Sequence, residues 1–291
     1  MKKRVLVLGS TGMLGHQIVN YFLQFNKYEV IDISFRNKFR EETIILDVTS
    51  QDSLSDTIVE INPDYIINCI GVLIGGANNN MANAIYINAY LPHQLKNIAK
   101  NINAKLIHIS TDCVFSGTKG KYIESDEKDG KDTYSKTKAL GEVIDDTNVT
   151  LRTSIIGLEL KSKGEGLFHW FMKQSGSING FTKAIWSGVT TLELAKAVEW
   201  AIENDVTGLY HVTNNKSINK NDLLKLFKKY TKKDIEIVAV DGNEVDKSFI
   251  DTRKEMNYII PDYDEMVKKM TDLIADNKKL YAQYNEESAS E

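Results

Sequence analysis

The segment Gly9-Ser10-Thr11-Gly12-Met13-Leu14-Gly15, close to the amino terminus, constrains the fold of this chain more than any other. It directly follows the apolar run Val5-Leu6-Val7-Leu8 and opens a helix-like stretch reaching Phe25. A run that is apolar at every position reads as a strand covered on both faces, as in a parallel sheet. The first glycine permits a tight turn, the second lets a ligand approach the backbone, and the third lets helix and strand pack closely. The helix then offers N–H groups and a positive dipole end, which suit a pyrophosphate. Gly9, Thr11, Gly12, Met13, Leu14 and Gly15 are therefore the expected phosphate-binding residues. A Walker-type NTPase loop is excluded, because no Gly-Lys-Ser/Thr closes the segment.

The rhythm of the first half agrees. Strands are predicted at 28–33, 43–46, 65–70, 105–109 and 150–156, with helices at 53–61, 88–101 and 135–146. Such alternation through short links gives right-handed crossovers and a doubly wound parallel sheet. Its ligand site lies beyond the carboxyl ends of the strands, at the switch point. After Gly157 the pattern loosens. Helices are expected at 167–174, 192–203, 219–230 and 262–284, and strands at 208–212 and 235–240. The expected architecture is α/β: a Rossmann-type doubly wound sheet over 1–156, rejoined by 188–212. A smaller mixed α/β substrate lobe is drawn from 157–187 and 213–284, followed by a frayed polar tail at 285–291.

Composition narrows the partners. The 36 basic and 40 acidic residues leave a charge of −4, unlike the clustered basic excess of a nucleic-acid surface. Two cysteines, Cys69 and Cys113, make no disulfide framework and read as small buried side chains. The five histidines show no metal-ligand spacing, so no metal site is expected. No stretch approaches the roughly 18 apolar residues of a membrane helix. The run after Met1-Lys2-Lys3-Arg4 is too short for a signal peptide, and a cytoplasmic location is expected.

The second strand bears on the choice of dinucleotide. If Ile33 is its last buried position, Ser34 stands where an NAD-binding acid would, with Arg36 just beyond. A hydroxyl and a guanidinium suit a 2′-phosphate, hence NADPH. The competing register ends the strand at Asp32 and gives NADH. Asp47 and Val48 follow the third strand. They are positioned to meet an adenine ring, although Asp47 could equally cap the next helix.

Tyr134-Ser135-Lys136-Thr137-Lys138 puts a phenol and an ammonium one helical turn apart. The cation favours phenolate, so such a tyrosine can give a proton to a carbonyl oxygen as hydride reaches the carbon. Ser110 and Thr111, at the end of the fifth strand, offer hydroxyls to the same carbonyl. At these residues the chain resembles the extended short-chain dehydrogenases/reductases, and among them the dTDP-4-dehydrorhamnose reductase family. The resemblance rests on the 9–15 loop, Asp47-Val48, Asn68-Cys69-Ile70-Gly71, Ser110-Thr111-Asp112-Cys113-Val114-Phe115-Ser116-Gly117, the Tyr134 to Lys138 segment and Arg152-Thr153-Ser154.

That resemblance implies a nicotinamide-dependent reduction of a nucleotide-linked 4-keto-6-deoxyhexose at C4. It makes Thr111 the partner of the substrate carbonyl and Tyr134 the proton donor. Lys138 would hold the nicotinamide ribose and tune Tyr134. Cys69, Ile70 and Gly71 would line the cofactor, and Thr153 and Ser154 would sit near the nicotinamide. Sugar-nucleotide 4,6-dehydratases carry an Asp-Glu pair after the threonine; here Asp112-Cys113 lacks the second carboxylate, which disfavours dehydration. Val72, Trp170, Trp186, Lys247 and Arg253 are the candidate substrate contacts, with Lys161 and Lys163 in a nearby loop. For the aromatic residues, a place in the lobe's core is the alternative. Two other functions stay open: an epimerase with tightly held NAD, and a non-catalytic cofactor-binding regulatory subunit. The nucleotide (dTDP or UDP), the sugar and the oligomeric state are left open by the sequence, a homodimer being the assembly considered.

Overall fold

Residues 1–284 are described in the computed structural model; the tail expected at 285–291 lies outside them. Alternation along β1 (Lys3–Leu8) shows how the sheet is buried. Val5 and Val7 enter one apolar cluster and Leu6 and Leu8 another, and all four are fully buried. Each such side chain contributes roughly 1.5–3 kcal/mol by leaving water. The other sheet strands are β2 (Tyr28–Ser34), β3 (Ile44–Ile45), β4 (Tyr65–Asn68), β5 (Lys105–Thr111), β6 (Val149–Thr153) and β7 (Gly208–His211). They form one seven-stranded sheet of order β7-β6-β5-β4-β1-β2-β3, and every pairing is parallel. This is a Rossmann-type, doubly wound sheet. The order reverses between β1 and β4, so a crevice opens between their carboxyl ends.

Helices α1 (Gly15–Phe22) and α5 (Thr191–Glu203) cover the Val5 face through Ile18, Phe22, Leu194 and Val198. Helices α2 (Gln51–Ile61) and α3 (Leu91–Asn101) cover the Leu6 face through Leu54, Ile58, Leu91 and Leu95. Helix α4 (Thr133–Leu140) carries Tyr134. The later part of the chain adds the parallel pair Gly176–Phe181 and Ile235–Val240, a three-stranded patch around Ala184–Trp186, and helices Leu167–Met172, Lys220–Thr231 and Tyr263–Asp276. Phe168, Phe227, Met266 and Met270 belong to the same apolar cluster as Val5. These elements therefore share the core of the sheet.

Several boundaries differ from expectation. Helix α4 ends at Leu140 and not near 146: its C-cap is Gly141, a poor helix former, which lies against the Asn88 carbonyl with no room for a side chain. The helix expected from Asn88 begins as a π-helical turn, Ile85–Tyr90, before α3 continues it. Two short helices, Ile74–Asn79 and Met81–Ala84, were not foreseen, since their Gly- and Asn-rich sequence carries no apolar period. The last long helix stops at Asp276, with a separate turn at Ala282–Tyr284.

Candidate active site

The glycine loop closes on itself as its spacing predicts. Gly9 has φ of 89°, and its N–H donates to Ile33 O at 2.8 Å. A Cβ on Gly15 would strike the Gly9 carbonyl, so α1 starts directly against the end of β1. His16 supports the loop from beneath. Its Nδ1–H donates to Gly12 O at 2.8 Å, and its Nε2 accepts from the Tyr281 hydroxyl at 3.0 Å. Burial lowers its pKa to about 4, so the ring stays neutral.

A cavity of about 550 Å³ runs from this loop across the switch point. Gly9, Thr11, Gly12, Ser34, Arg36, Asp47, Val48, Cys69, Ile70, Gly71, Val72 and Lys161 are among its walls. Strand β2 continues through Ser34, and the fully buried Asp32 carboxylate is occupied by Arg40 at 2.6 Å and the Thr43 hydroxyl at 2.7 Å. The register that ended the strand at Asp32 is not the one formed. Arg36 lies over the Phe35 ring, 4.6 Å from its centre. Asp47 does not cap α2, whose N-cap is Ser50; its carboxylate holds Thr49 instead. Met13 and Leu14 sit in the loop, with the Met13 sulfur facing Gly166.

Val72, a wall of this cavity, packs against Tyr134. Asn88 fixes this junction: its side chain accepts from Val72 N–H at 2.8 Å, and its amide donates to Val72 O and to the Thr137 hydroxyl on α4. Tyr134 packs on Ala77, Ala84 and Val72 and is hydrogen-bonded to Thr111. Burial raises its pKa and holds it as the phenol. The Lys138 ammonium donates to Ile109 O at 2.8 Å, and burial lowers its pKa to about 8. Cys69 faces that ammonium, yet burial keeps its thiol protonated; the Cys113 thiol is likewise pushed up to about 12.

Not every hydroxyl expected at the carbonyl is available. Ser110 donates to Glu142 Oε1 at 2.7 Å, away from the cavity, and Thr153 donates to Val212 O at 2.8 Å. The Thr111 hydroxyl donates to Asp112 Oδ1 at 3.1 Å. Behind it lies a charged chamber: Lys220 and Lys247 both face Asp112, whose carboxyl burial raises. Trp186 is buried there, donating to Ser154 Oγ at 2.8 Å, with the Lys220 ammonium 5.4 Å from its ring centre. Lys220 was missed from the sequence, since the first residue of an amphipathic helix carries no distinguishing signal.

Two expected substrate contacts stand apart. Arg253 donates to Leu209 O at 3.1 Å and stacks 4.3 Å from the Tyr210 ring centre. It braces the start of edge strand β7, the opposite end of a parallel sheet from the ligand crevice. Trp170 is 40% exposed on its helix and is not part of the cavity wall. Phe171 is core, and Lys183 pairs with Asp241 at 3.0 Å.

The chain is similar to known proteins in sequence and in fold. The chain is 31% identical over 157 residues to dTDP-4-dehydrorhamnose reductase of Aggregatibacter actinomycetemcomitans, covering 52% of this chain and 51% of that one. It is 33% identical over 144 residues to methionine adenosyltransferase 2 subunit beta of Bos taurus, covering 48% and 42%. The chain thus spans about half the length of these curated relatives. The crystal structure of dTDP-4-dehydrorhamnose reductase from Bacillus anthracis in complex with NADP superposes with a TM-score of 0.78 at 23% identity, over 92% of this chain and 98% of that one. That likeness is one of fold. The model of the RmlD substrate binding domain matches residues 2–249. With most of its length so matched, the chain belongs to the RmlD substrate binding domain family.

Proposed function

We propose that the chain is an NADP(H)-dependent reductase of a nucleotide-linked 4-keto-6-deoxyhexose. The observation that carries this reading is the contact of Thr111 and Tyr134 beside Val72, a wall of the cavity that begins on a glycine loop, with Lys138 one helical turn beyond Tyr134. The cavity suits a dinucleotide: Gly9 and Gly12 line it with bare backbone, and Gly15 lets the helix start directly against the strand. Gly9, Thr11, Gly12, Met13, Leu14 and Gly15 would hold the pyrophosphate. Ser34 and Arg36 would take the 2′-phosphate, Asp47 and Val48 the adenine, and Cys69, Ile70, Gly71 and Lys138 the nicotinamide half. When bound, NADPH supplies a hydride.

The chain's own residues supply the rest. Thr111 turns its hydroxyl from Asp112 to the C4 carbonyl oxygen. Tyr134 donates its proton to that oxygen as the carbon becomes an alcohol, and burial keeps the proton in place until then. The Lys138 ammonium, one turn away, offsets the phenolate left behind. Val72, Trp186, Lys247 and Lys220 form the substrate wall, its cations suited to a diphosphate. The test is a panel of nucleotide 4-keto-6-deoxy sugars with NADPH, followed at the nicotinamide absorbance. Oxidation of NADPH by at least one, and far slower turnover of the free sugar, is expected. Failure of the whole panel with NADPH still bound would favour a non-catalytic role, the reading that likeness to a subunit named methionine adenosyltransferase 2 subunit beta supports.

Two further results follow from this reading. Arg36→Ala should weaken NADPH by roughly 1.5–3 kcal/mol, the worth of a hydrogen bond to a charged group, and leave NADH nearly unchanged. Equal losses for the two cofactors in a binding titration would remove Arg36 from the 2′-phosphate. The second is a pH effect. Lys138 is charged below about pH 8 and neutral above it, so NADPH affinity should fall as pH rises through that value, and Lys138→Met should bind weakly without a step. Stability moves the other way. The unfolded lysine keeps its proton to about pH 10.4, so between the two values the unfolded state binds more protons and folding gains as pH rises.

A further inference from the structure

Lys161, which the sequence places in a loop near the candidate substrate contacts, lines the dinucleotide cavity together with Thr11, Gly12, Ser34 and Arg36. Lys161 and Arg36 are the cations among the described lining residues. Lys161 reaches this position on a strap, residues 159–166, pinned at both ends. At its base the Glu159 carboxylate accepts the Gly166 N–H at 2.7 Å, closing the strap on itself. Gly166 rests on the Met13 sulfur of the glycine loop. From behind, the Glu159 N–H donates to the Tyr284 hydroxyl oxygen at 3.0 Å, and that hydroxyl donates to His169 Nδ1 at 2.8 Å. His169 Nε2–H donates to Ser162 O at 3.2 Å, and Lys173 donates to the same carbonyl. The strap is therefore an ordered arm laid over the glycine loop.

NADP(H) brings two anionic centres to this cavity, a 2′-phosphate and a pyrophosphate. The glycine loop answers the pyrophosphate with neutral N–H groups only. Arg36 stands at the ribose end, beside Ser34. Lys161 is the remaining cation, and its strap rests on the glycine loop. We propose that Lys161 is a cofactor-binding residue that pairs with the pyrophosphate, an assignment that rests on the dinucleotide reading of the cavity. An ammonium on a flexible stem suits this, acting as a point charge where no fixed fork geometry is required.

The division of labour can be read in a binding experiment with three probes: NADPH, NADH and adenosine 2′-monophosphate, which lacks the pyrophosphate. Lys161→Ala should weaken NADPH and NADH by the same factor, roughly tenfold for one charge-assisted contact, and leave adenosine 2′-monophosphate unchanged. Arg36→Ala should weaken NADPH and adenosine 2′-monophosphate and leave NADH nearly unchanged. Lys161→Arg should restore binding, and the melting temperature of Lys161→Ala should match the parent's because the side chain is exposed. Unchanged NADPH affinity in Lys161→Ala would overturn the proposal. A loss confined to NADPH would also overturn it, moving the lysine to the 2′-phosphate. A parent protein that binds neither dinucleotide would instead sink the reading of the cavity itself.

Discussion

Tyr134→Phe should fold, bind NADPH as the parent does, and turn over substrate slower by a factor on the order of 10² to 10⁴, the usual worth of a positioned general acid. The substitution removes one oxygen from a buried ring and leaves its packing on Ala77, Ala84 and Val72 intact. It takes away the only proton that the proposed chemistry draws from this side chain. Because burial holds Tyr134 above its ordinary pKa, the parent should keep its donor protonated through neutral pH. Steady-state kinetics with a turned-over nucleotide keto sugar would check this. Near-parental turnover in the phenylalanine variant would move the proton donor elsewhere, with Asp112 the next candidate, since burial raises its carboxyl too.

Arg152→Met should produce the largest loss of stability. The guanidinium is 1% exposed within the sheet. It donates to Glu142 at 2.8 and 2.7 Å and to His211 Nε2 at 2.8 Å, while Ser110 donates to the same carboxylate. Removing one partner of a buried pair strands the other charge, which costs roughly 3–5 kcal/mol. For a chain of this size that lowers the melting temperature by roughly five to eight degrees. The double variant Arg152→Met with Glu142→Met should recover much of the loss, because the buried carboxylate is gone and Lys128, its other cation at 3.2 Å, is 33% exposed to water. Burial alone would raise the Glu142 pKa, but Arg152 and the other partners together bring it below the ordinary value. The pair therefore stabilises above about pH 4.5 and loses its contribution as pH falls through the folded pKa. A single variant that melts with the parent, or a double variant that melts no higher than the single, would show that the pair carries little. Since Ser110 precedes Thr111, the network also holds the end of β5 in position.

The features legible in the sequence were those written in local spacing. The glycine loop, the turn between Tyr134 and Lys138, and the buried strand ahead of Gly9 each depend on residues a few positions apart, and each formed. What escaped depends on partners far along the chain. Asp32 reads as a ribose ligand until Arg40 and Thr43 fold back onto it. Ser110 looks free until Glu142, on the far side of α4, takes its hydroxyl. Arg253 lies six positions from Lys247 in sequence, yet the chain carries it to β7 and leaves Lys247 facing Asp112. Lys161 and Lys220 sit in a loop and at a helix start, where nothing local records that one lines the cavity and the other faces Asp112.

The supports beneath the glycine loop set an order of events during synthesis. Residues 9–15 leave the ribosome early, and the sheet can assemble once β7 has emerged. Yet His16 waits for Tyr281 and the Lys161 strap waits for Tyr284, both near the far end of the described chain. A nascent protein halted before residue 281 would hold every strand of the sheet and a glycine loop without its Tyr281 and Tyr284 supports. Domains fold as they are made, and in this one the bracing of the glycine loop follows the emergence of residues 281–284, well after the last strand of the sheet.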